Sequence, residues 1–289
     1  MSNQTADAAA FDYDTAFSRN IGWLTEAEQA LLRRSRVAIA GLGGVGGAHL
    51  AALTRLGVGA FNISDLDVFE VVNFNRQLGA TMSQLGQPKV DVIADMALDV
   101  NPGLDLRRFP EGIGKHNVDE FLRDVDVYID GLDFFVMDAR EAVFAACAEK
   151  GIPAITAAPL GWGTAWLVFA PGGMSFEDYF QMAGRPYPEK LLRFLIGLSP
   201  TGMELAHLVD PTRMDVANQR GPSTPVGAFL SAAVACTSAA KLLLGRGDVL
   251  TAPWSQHFDA FTGLSESVER PGGLRHPELQ ARLAAMLGA

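Results

Sequence analysis

Between residues 36 and 170 short apolar runs alternate with longer segments whose apolar positions recur every three or four residues. "RVAIAG" is a compact apolar run ending in glycine, the pattern of a strand buried on both faces. "GVGGAHLAALTRLGV" then switches to helical spacing, and "AFNISDLD" returns to a strand, which makes a β-α-β unit. The rhythm continues. "PKVDVIADMALDVNPG" reads as a helix with Pro at its start and Asn-Pro-Gly at its stop, and "LDLRRFPEG" as a strand. "NVDEFLRDV" is a short helix, "DVYIDGLD" a strand with an acidic carboxyl end, and "FVMDAREAVFAACAEKG" a helix stopped by Gly151. "IPAITAAPLG" and "GTAWLVFAP" are two further strands. Ahead of this series "TEAEQALLRRS" carries a Thr cap and a Glu in position to complete it. The alternation predicts an α/β fold, a Rossmann-like doubly wound, mostly parallel sheet.

The texture changes after Pro171, where Gly, Pro, Phe and Met become frequent and only short helices and loops are expected. An apolar helix follows over 226–244, and "WSQHFDAFTGLSESVERP" closes as one or two antiparallel strands. Four regions result: a flexible N-terminal arm over 1–16, a nucleotide-binding core over 17–170, an insertion over 171–225, and a C-terminal helix, strands and tail over 226–289 that complete the same domain. The insertion has two readings, an exposed substrate platform or an accessory core beneath a lid.

The chain has 289 residues, enough for one large domain, and a formal net charge of −10. That acidity lowers the expectation of a nucleic-acid partner, which calls for a basic face. Two cysteines far apart, Cys147 and Cys236, leave no CxxC pair, so no structural zinc is expected. Both fall in apolar helical segments and read as buried structural thiols. The 226–244 stretch is interrupted by Ser, Thr and Lys241, and is read as a buried helix rather than a membrane span. The first residues lack the basic-then-apolar order of a leader, so a cytoplasmic location is expected.

Gly41-Leu42-Gly43-Gly44-Val45-Gly46 satisfies GxGxxG after a strand and before a helix, where backbone amides and a helix N-terminus receive phosphate. Asp65 closes the second strand, where a ribose-binding acid belongs, with Asp67 beside it. The glycine loop alone does not separate NAD from ATP. The residues after it discriminate: Asn73, Arg76 and Gln77 follow in "NFNRQ", Lys89 opens the next helix after "GQP", and Asp133 is read as the acid ending a later strand. Converging Arg and Lys neutralise a triphosphate, and a strand-end carboxylate suits magnesium. Hydride transfer has no use for such a set; an NAD(P)-dependent oxidoreductase would leave Arg76, Lys89 and Asp133 unexplained.

"GLGGVG", "DLD", "NFNRQ", "GQPK" and "DGLD" in this order resemble the ThiF/MoeB/HesA superfamily of ubiquitin-activating-enzyme-like adenylyltransferases, over roughly residues 17–170. The resemblance implies a homodimer that uses MgATP to adenylate a carboxylate: the C-terminus of a ubiquitin-like protein or sulfur carrier, a peptide or a small acid. It implies that Gly41, Gly43, Gly44 and Gly46 receive the phosphates and that Asp65 holds the ribose. Asn73, Arg76 and Lys89 contact phosphate, Gln77 braces the loop, and Asp133 binds magnesium. It also implies that Arg19, in "AFSRNIG", reaches the partner subunit's nucleotide. Phe134 stands where the family has Asn, and the family's zinc CxxC pairs are missing. "NFNRQ" is also similar to the branch that dehydrates threonylcarbamoyladenosine in tRNA, a reading the net acidity opposes. A non-catalytic adaptor on the same fold is a further alternative, opposed by the intact Arg76, Lys89 and Asp133.

Overall fold

The computed structural model describes residues 11–215, 218 and 220–288. One eight-stranded sheet runs through it in the order β3-β2-β1-β4-β5-β6-β7-β8. β1 (Arg36–Ala40), β2 (Ala60–Ser64), β3 (Asp105–Phe109), β4 (Val127–Asp130) and the start of β5 (Ala154–Leu160) pair in parallel. β6 (Gly163–Phe169), β7 (Trp254–Asp259) and β8 (Leu264–Glu269) extend the sheet antiparallel. Every residue of β1 and β2 is buried, the polar Arg36, Asn62 and Ser64 included, as befits strands covered on both faces.

Helices cover the two faces. α3 (Gly46–Leu56) and α4 (Lys89–Val100) lie against one, joined by the long α9 (Pro225–Leu244), which packs on α3, β5 and β6. α9 is the one helix among the described residues long and apolar enough to cross a membrane; here it lies along the sheet. α5 (Val118–Phe121), α6 (Met137–Lys150), α7 (Phe176–Phe180), α8 (Tyr187–Leu198) and α10 (Pro277–Leu287) cover the opposite face. α10 falls where the sequence suggests only a tail; it buries Leu279 and Leu283, and Arg282 donates to the Ser199 carbonyl.

The insertion has an interior of its own. Phe176, Tyr179 and Phe180 of α7 and Leu191, Phe194 and Ile196 of α8 are buried together with Phe144 and Phe169. These aromatic residues therefore serve as core and form no exposed groove. The apolar positions that stay open lie further on, at Leu205, Val209 and Met214.

Of the expected arm, residues 1–10 lie outside the described residues. The remainder is docked: α1 (Tyr13–Ala16) buries Tyr13, whose hydroxyl donates to the Gly57 carbonyl and accepts from Gln29. The Arg33 guanidinium covers the ring at 4.3 Å. α2 (Glu26–Arg34) starts on the Thr25–Glu28 capping box that its sequence announces.

His49, on α3, is completely buried beside the backbone of Ser231 on α9, and desolvation pulls its imidazole down to about 3. An unfolded histidine titrates near 6.5. Between those values only the unfolded chain takes up the extra proton, so stability falls as pH drops below about 6.5. His49→Leu should therefore shrink the loss of unfolding free energy between pH 8 and pH 5 by about 2 kcal/mol. Urea titrations at the two pH values check this; equal pH dependence in both proteins would mean that the imidazole ionises without cost inside the fold.

Candidate active site

The carboxyl ends of β1, β2 and β4 meet at the point where the strand order reverses, between β1 and β4, the usual crevice of a doubly wound sheet. Gly41 leaves β1 with φ at +83°, a conformation favoured by glycine, and its carbonyl lies against Gly46 and Gly131. A β-carbon on Gly46 would sit 1.7 Å from that carbonyl oxygen, and one on Gly41 would sit 2.2 Å from the Gly131 oxygen. The loop after β1 and the loop after β4 are thus packed backbone on backbone. α3 starts directly behind, its first-turn amides facing the loop.

Asp65 follows β2. One carboxylate oxygen accepts the Leu42 amide at 2.7 Å and the other the Asp67 amide at 2.9 Å. Burial raises its pKa, against the opposing pull of those amides and of Lys89. The acid expected to hold a ribose is therefore also the brace that fixes the glycine loop to β2.

The segment after Asp67 folds back over the loop. Asn73 is buried and accepts the Glu70 amide at 2.9 Å, holding the 3-10 turn Val71–Asn73. Gln77 is buried with its amide group 3.4 Å from where a β-carbon on Gly43 would be. The Arg76 side chain lies equally close to Gly44 and donates to the Val72 carbonyl and Asn75. Asn75 in turn donates to the Ser223 carbonyl, tying this segment to the end of the insertion.

Lys89 begins α4, as its sequence position indicates, but it is no solvated helix lysine. It is buried, and its ammonium pairs with the Asp67 carboxylate at 3.0 Å.

Asp133 differs from expectation. β4 ends at Asp130, and Asp133 lies three residues beyond, exposed in the loop that touches Gly41. Its carboxylate accepts the Phe135 amide at 3.0 Å. The strand-end acid is Asp130, buried in an ion pair with Arg140 at 2.7 Å and bonded by the Thr156 hydroxyl at 2.9 Å. Neither partner was singled out from the sequence. The signal was present: Arg140 sits in the stripe Met137, Arg140, Phe144, Cys147, the buried face of α6.

Arg19 is not brought to this group. It is exposed on the 3-10 turn Ser18–Asn20, and Asn20 donates to the carbonyls of Arg55 and Leu56 at the carboxyl end of α3. The glycine loop is at the other end of that helix, about 16 Å away along its axis.

No group of three or more His, Cys, Asp or Glu side chains suited to a metal occurs among the described residues. Cys147 and Cys236 are both buried, with burial pushing the Cys147 thiol far up and Cys236 up to about 12. His257 is packed in β7, and burial lowers its pKa.

A doubly wound sheet with a glycine loop, an acid just beyond β2 and a Lys89–Asp67 ion pair at its switch point is an α/β architecture of the nucleotide-binding type. Residues 17–278 match the ThiF family, and the chain belongs to it. This membership displaces the oxidoreductase reading. The chain is 33% identical over 146 residues to the tRNA threonylcarbamoyladenosine dehydratase of Bacillus subtilis, covering 48% of this chain and 55% of that protein. It is 30% identical over 143 residues to the sulfur carrier protein ThiS adenylyltransferase of Escherichia coli, covering 50% and 56%. The matches thus span little more than half the length of these relatives. Among solved structures, PaaA aligns at a TM-score of 0.66 and 17% identity over 93% of this chain and 77% of its own. The Escherichia coli tRNA threonylcarbamoyladenosine dehydratase TcdA in complex with ATP aligns at 0.59 and 20%, over 80% and 95%.

Neither thiol is placed or ionised for nucleophilic work. Cys147→Ser and Cys236→Ser should each retain turnover while lowering the melting temperature by a few degrees, since a hydroxyl is costlier to bury than a thiol. Loss of turnover in either variant while it remains folded would reveal a covalent step.

Proposed function

We propose that the protein uses ATP and magnesium to adenylate a substrate carboxylate, releasing pyrophosphate. The observation that carries this reading is the arrangement of Arg76 and Gln77 over Gly44 and Gly43, with the Lys89–Asp67 pair in the adjoining segment. Cations held against a phosphate loop suit a triphosphate and have no role toward a nicotinamide ring.

The glycine-loop amides receive phosphate oxygens, and Asp65 takes the ribose hydroxyls. A carboxylate oxygen of the substrate bonds to the α-phosphorus as the α–β bridging bond breaks, and the electron pair leaves with pyrophosphate. No general base is needed, because a carboxylate is ionised at neutral pH. Arg76 and Lys89 stabilise charge on the reacting phosphoryl group and the departing pyrophosphate. Asp133 suits magnesium, being an exposed oxygen donor beside the phosphate loop, and such ions are commonly held by one or two carboxylates together with substrate phosphates. When bound, the ion neutralises phosphate charge.

The substrate class is the C-terminus of a ubiquitin-like protein or sulfur carrier, a peptide, or a small acid, consistent with the ThiS adenylyltransferase among the relatives. The dehydratase relatives favour a second reading, action on the threonylcarbamoyl group of a modified tRNA. A cytoplasmic homodimer is the setting for either. ATP–pyrophosphate exchange over ubiquitin-like C-termini, peptides, small acids and threonylcarbamoylated tRNA separates the two.

Arg76→Ala and Lys89→Ala should each lose about 1.5–3 kcal/mol of transition-state stabilisation, roughly 10- to 150-fold in exchange rate, with the fold intact. Unchanged exchange in both would remove the assignment. A lone Lys89→Ala leaves Asp67 unpaired but exposed, so its folding should survive.

Arg19, at the far end of α3 from its own glycine loop, acts on the nucleotide of a second copy across a two-fold axis. Arg19→Ala should stay dimeric and inactive. Mixed with Asp133→Ala subunits it should regain activity, because about half of the randomly formed dimers pair one intact Asp133 site with an intact Arg19. Monomers by sedimentation, or no recovery after verified subunit exchange, would rule out the trans contribution.

A further inference from the structure

Arg140 is almost fully enclosed, 1% exposed, and neutralising Asp130 engages only one of its nitrogens. Its remaining donors reach the backbone of the loop that carries Asp133. Nη2 donates to the carbonyls of Leu132 at 2.8 Å and Asp133 at 3.0 Å, and Nη1 to those of Phe134 at 3.3 Å and Val136 at 3.4 Å. The other side of the guanidinium lies 4.4 Å from the ring centre of Phe194 on α8. The Asp130 carboxylate is itself complete, accepting Thr156 on one oxygen and the Leu132 amide on the other.

We infer that Arg140 is a positioning residue: its guanidinium sets the shape of the 132–136 loop and thereby the aim of the Asp133 carboxylate, with Phe194 of the insertion holding the guanidinium in place. A buried ion pair kept only for charge balance would need one contact with Asp130. Here a rigid planar fork is fitted to four carbonyls of one short loop, a geometry lysine cannot reproduce. The loop has no strand or helix to fix it, and Phe134 replaces the family's Asn, so its conformation depends on groups brought from α6 and α8. Tyr187 adds a second link from α8, donating to the Phe135 carbonyl at 2.8 Å. The consequence for metal binding rests on the reading of Asp133 as the magnesium-holding acid; the consequence for loop order does not.

Arg140→Lys keeps a cation for Asp130 and removes the fork, and is the first variant to measure. In the nucleotide-free protein, hydrogen exchange at Phe135, Val136 and Met137, whose amides bond within the loop, should accelerate at least tenfold. Exchange in β4 and the body of α6 should change less than twofold. Calorimetric titration of ATP should show the half-saturating magnesium concentration rising at least fivefold, with magnesium-free ATP affinity within twofold. Phe194→Leu, which leaves every charge and hydrogen bond available, should move both quantities in the same direction by a smaller factor, and it decides the matter should Arg140→Lys fail to fold. Unchanged loop exchange in a folded variant would overturn the positioning role. Accelerated loop exchange with an unchanged magnesium requirement would uphold the positioning role and reject Asp133 as the metal ligand.

Discussion

Gly41, Gly46 and Gly131 meet without a side chain between them, so that the chain leaving β1 crosses the chain leaving β4 at backbone contact. The rest of the site hangs on this crossing. It brings the start of α3 up to the glycine loop, puts the Asp133 loop against the same loop, and leaves the space above Gly43 and Gly44 to the side chains of Gln77 and Arg76. A methyl group at any of the three glycines would drive two of the sheet's central loops apart. The separation would reach both the glycine-loop amides and the acid beyond β4. Packing and the proposed chemistry are therefore the same constraint here, since the close approach proposed to admit a phosphate also locks the sheet at its switch point.

Around that crossing the polar groups are layered by their exposure. The innermost, Asp130 with Arg140, shape backbone. Next come Lys89, buried, and the half-buried Asp65 and Arg76, which border the glycine loop. Outermost are the exposed carboxylates of Asp67, paired with Lys89, and Asp133. An ion pair buried as deeply as Asp130 with Arg140 gains little net stability from its charges, because desolvation offsets most of the attraction. Its value lies in the geometry that it imposes on the loop.

The parts legible in the sequence were those whose signals are local. The Thr25–Glu28 capping box, the strand runs and the glycine loop are each contained within a dozen residues, and the structure reproduces them at nearly the same limits. Signals that need a distant partner were harder to read. Asp133 looked like the end of a strand because "DVYIDGLD" ends on an acid and carries another at Asp130, and only the pairing of β4 with β1 and β5 shows that the strand register stops at Asp130. From the sequence alone the aromatic residues of the insertion suited an exposed platform as well as an accessory core; the antiparallel half of the sheet needs a cover, and Phe176, Phe180 and Phe194 supply it. Tyr13 was assigned to a loose arm because its neighbours are polar; its own burial depends on Gly57 and Gln29, tens of residues away or on another element.

α9 has a consequence for how the chain is made. The apolar surface of α3 and the backs of β5 and β6 stay uncovered until α9 arrives, after the 55 residues of the insertion have been synthesised. A growing chain extrudes at about 5–20 residues per second, so several seconds pass with that surface uncovered. Contacts across such a separation form slowly, and an exposed apolar sheet is prone to self-association meanwhile. The docking of α9 thus ends the interval in which that apolar surface is open to self-association.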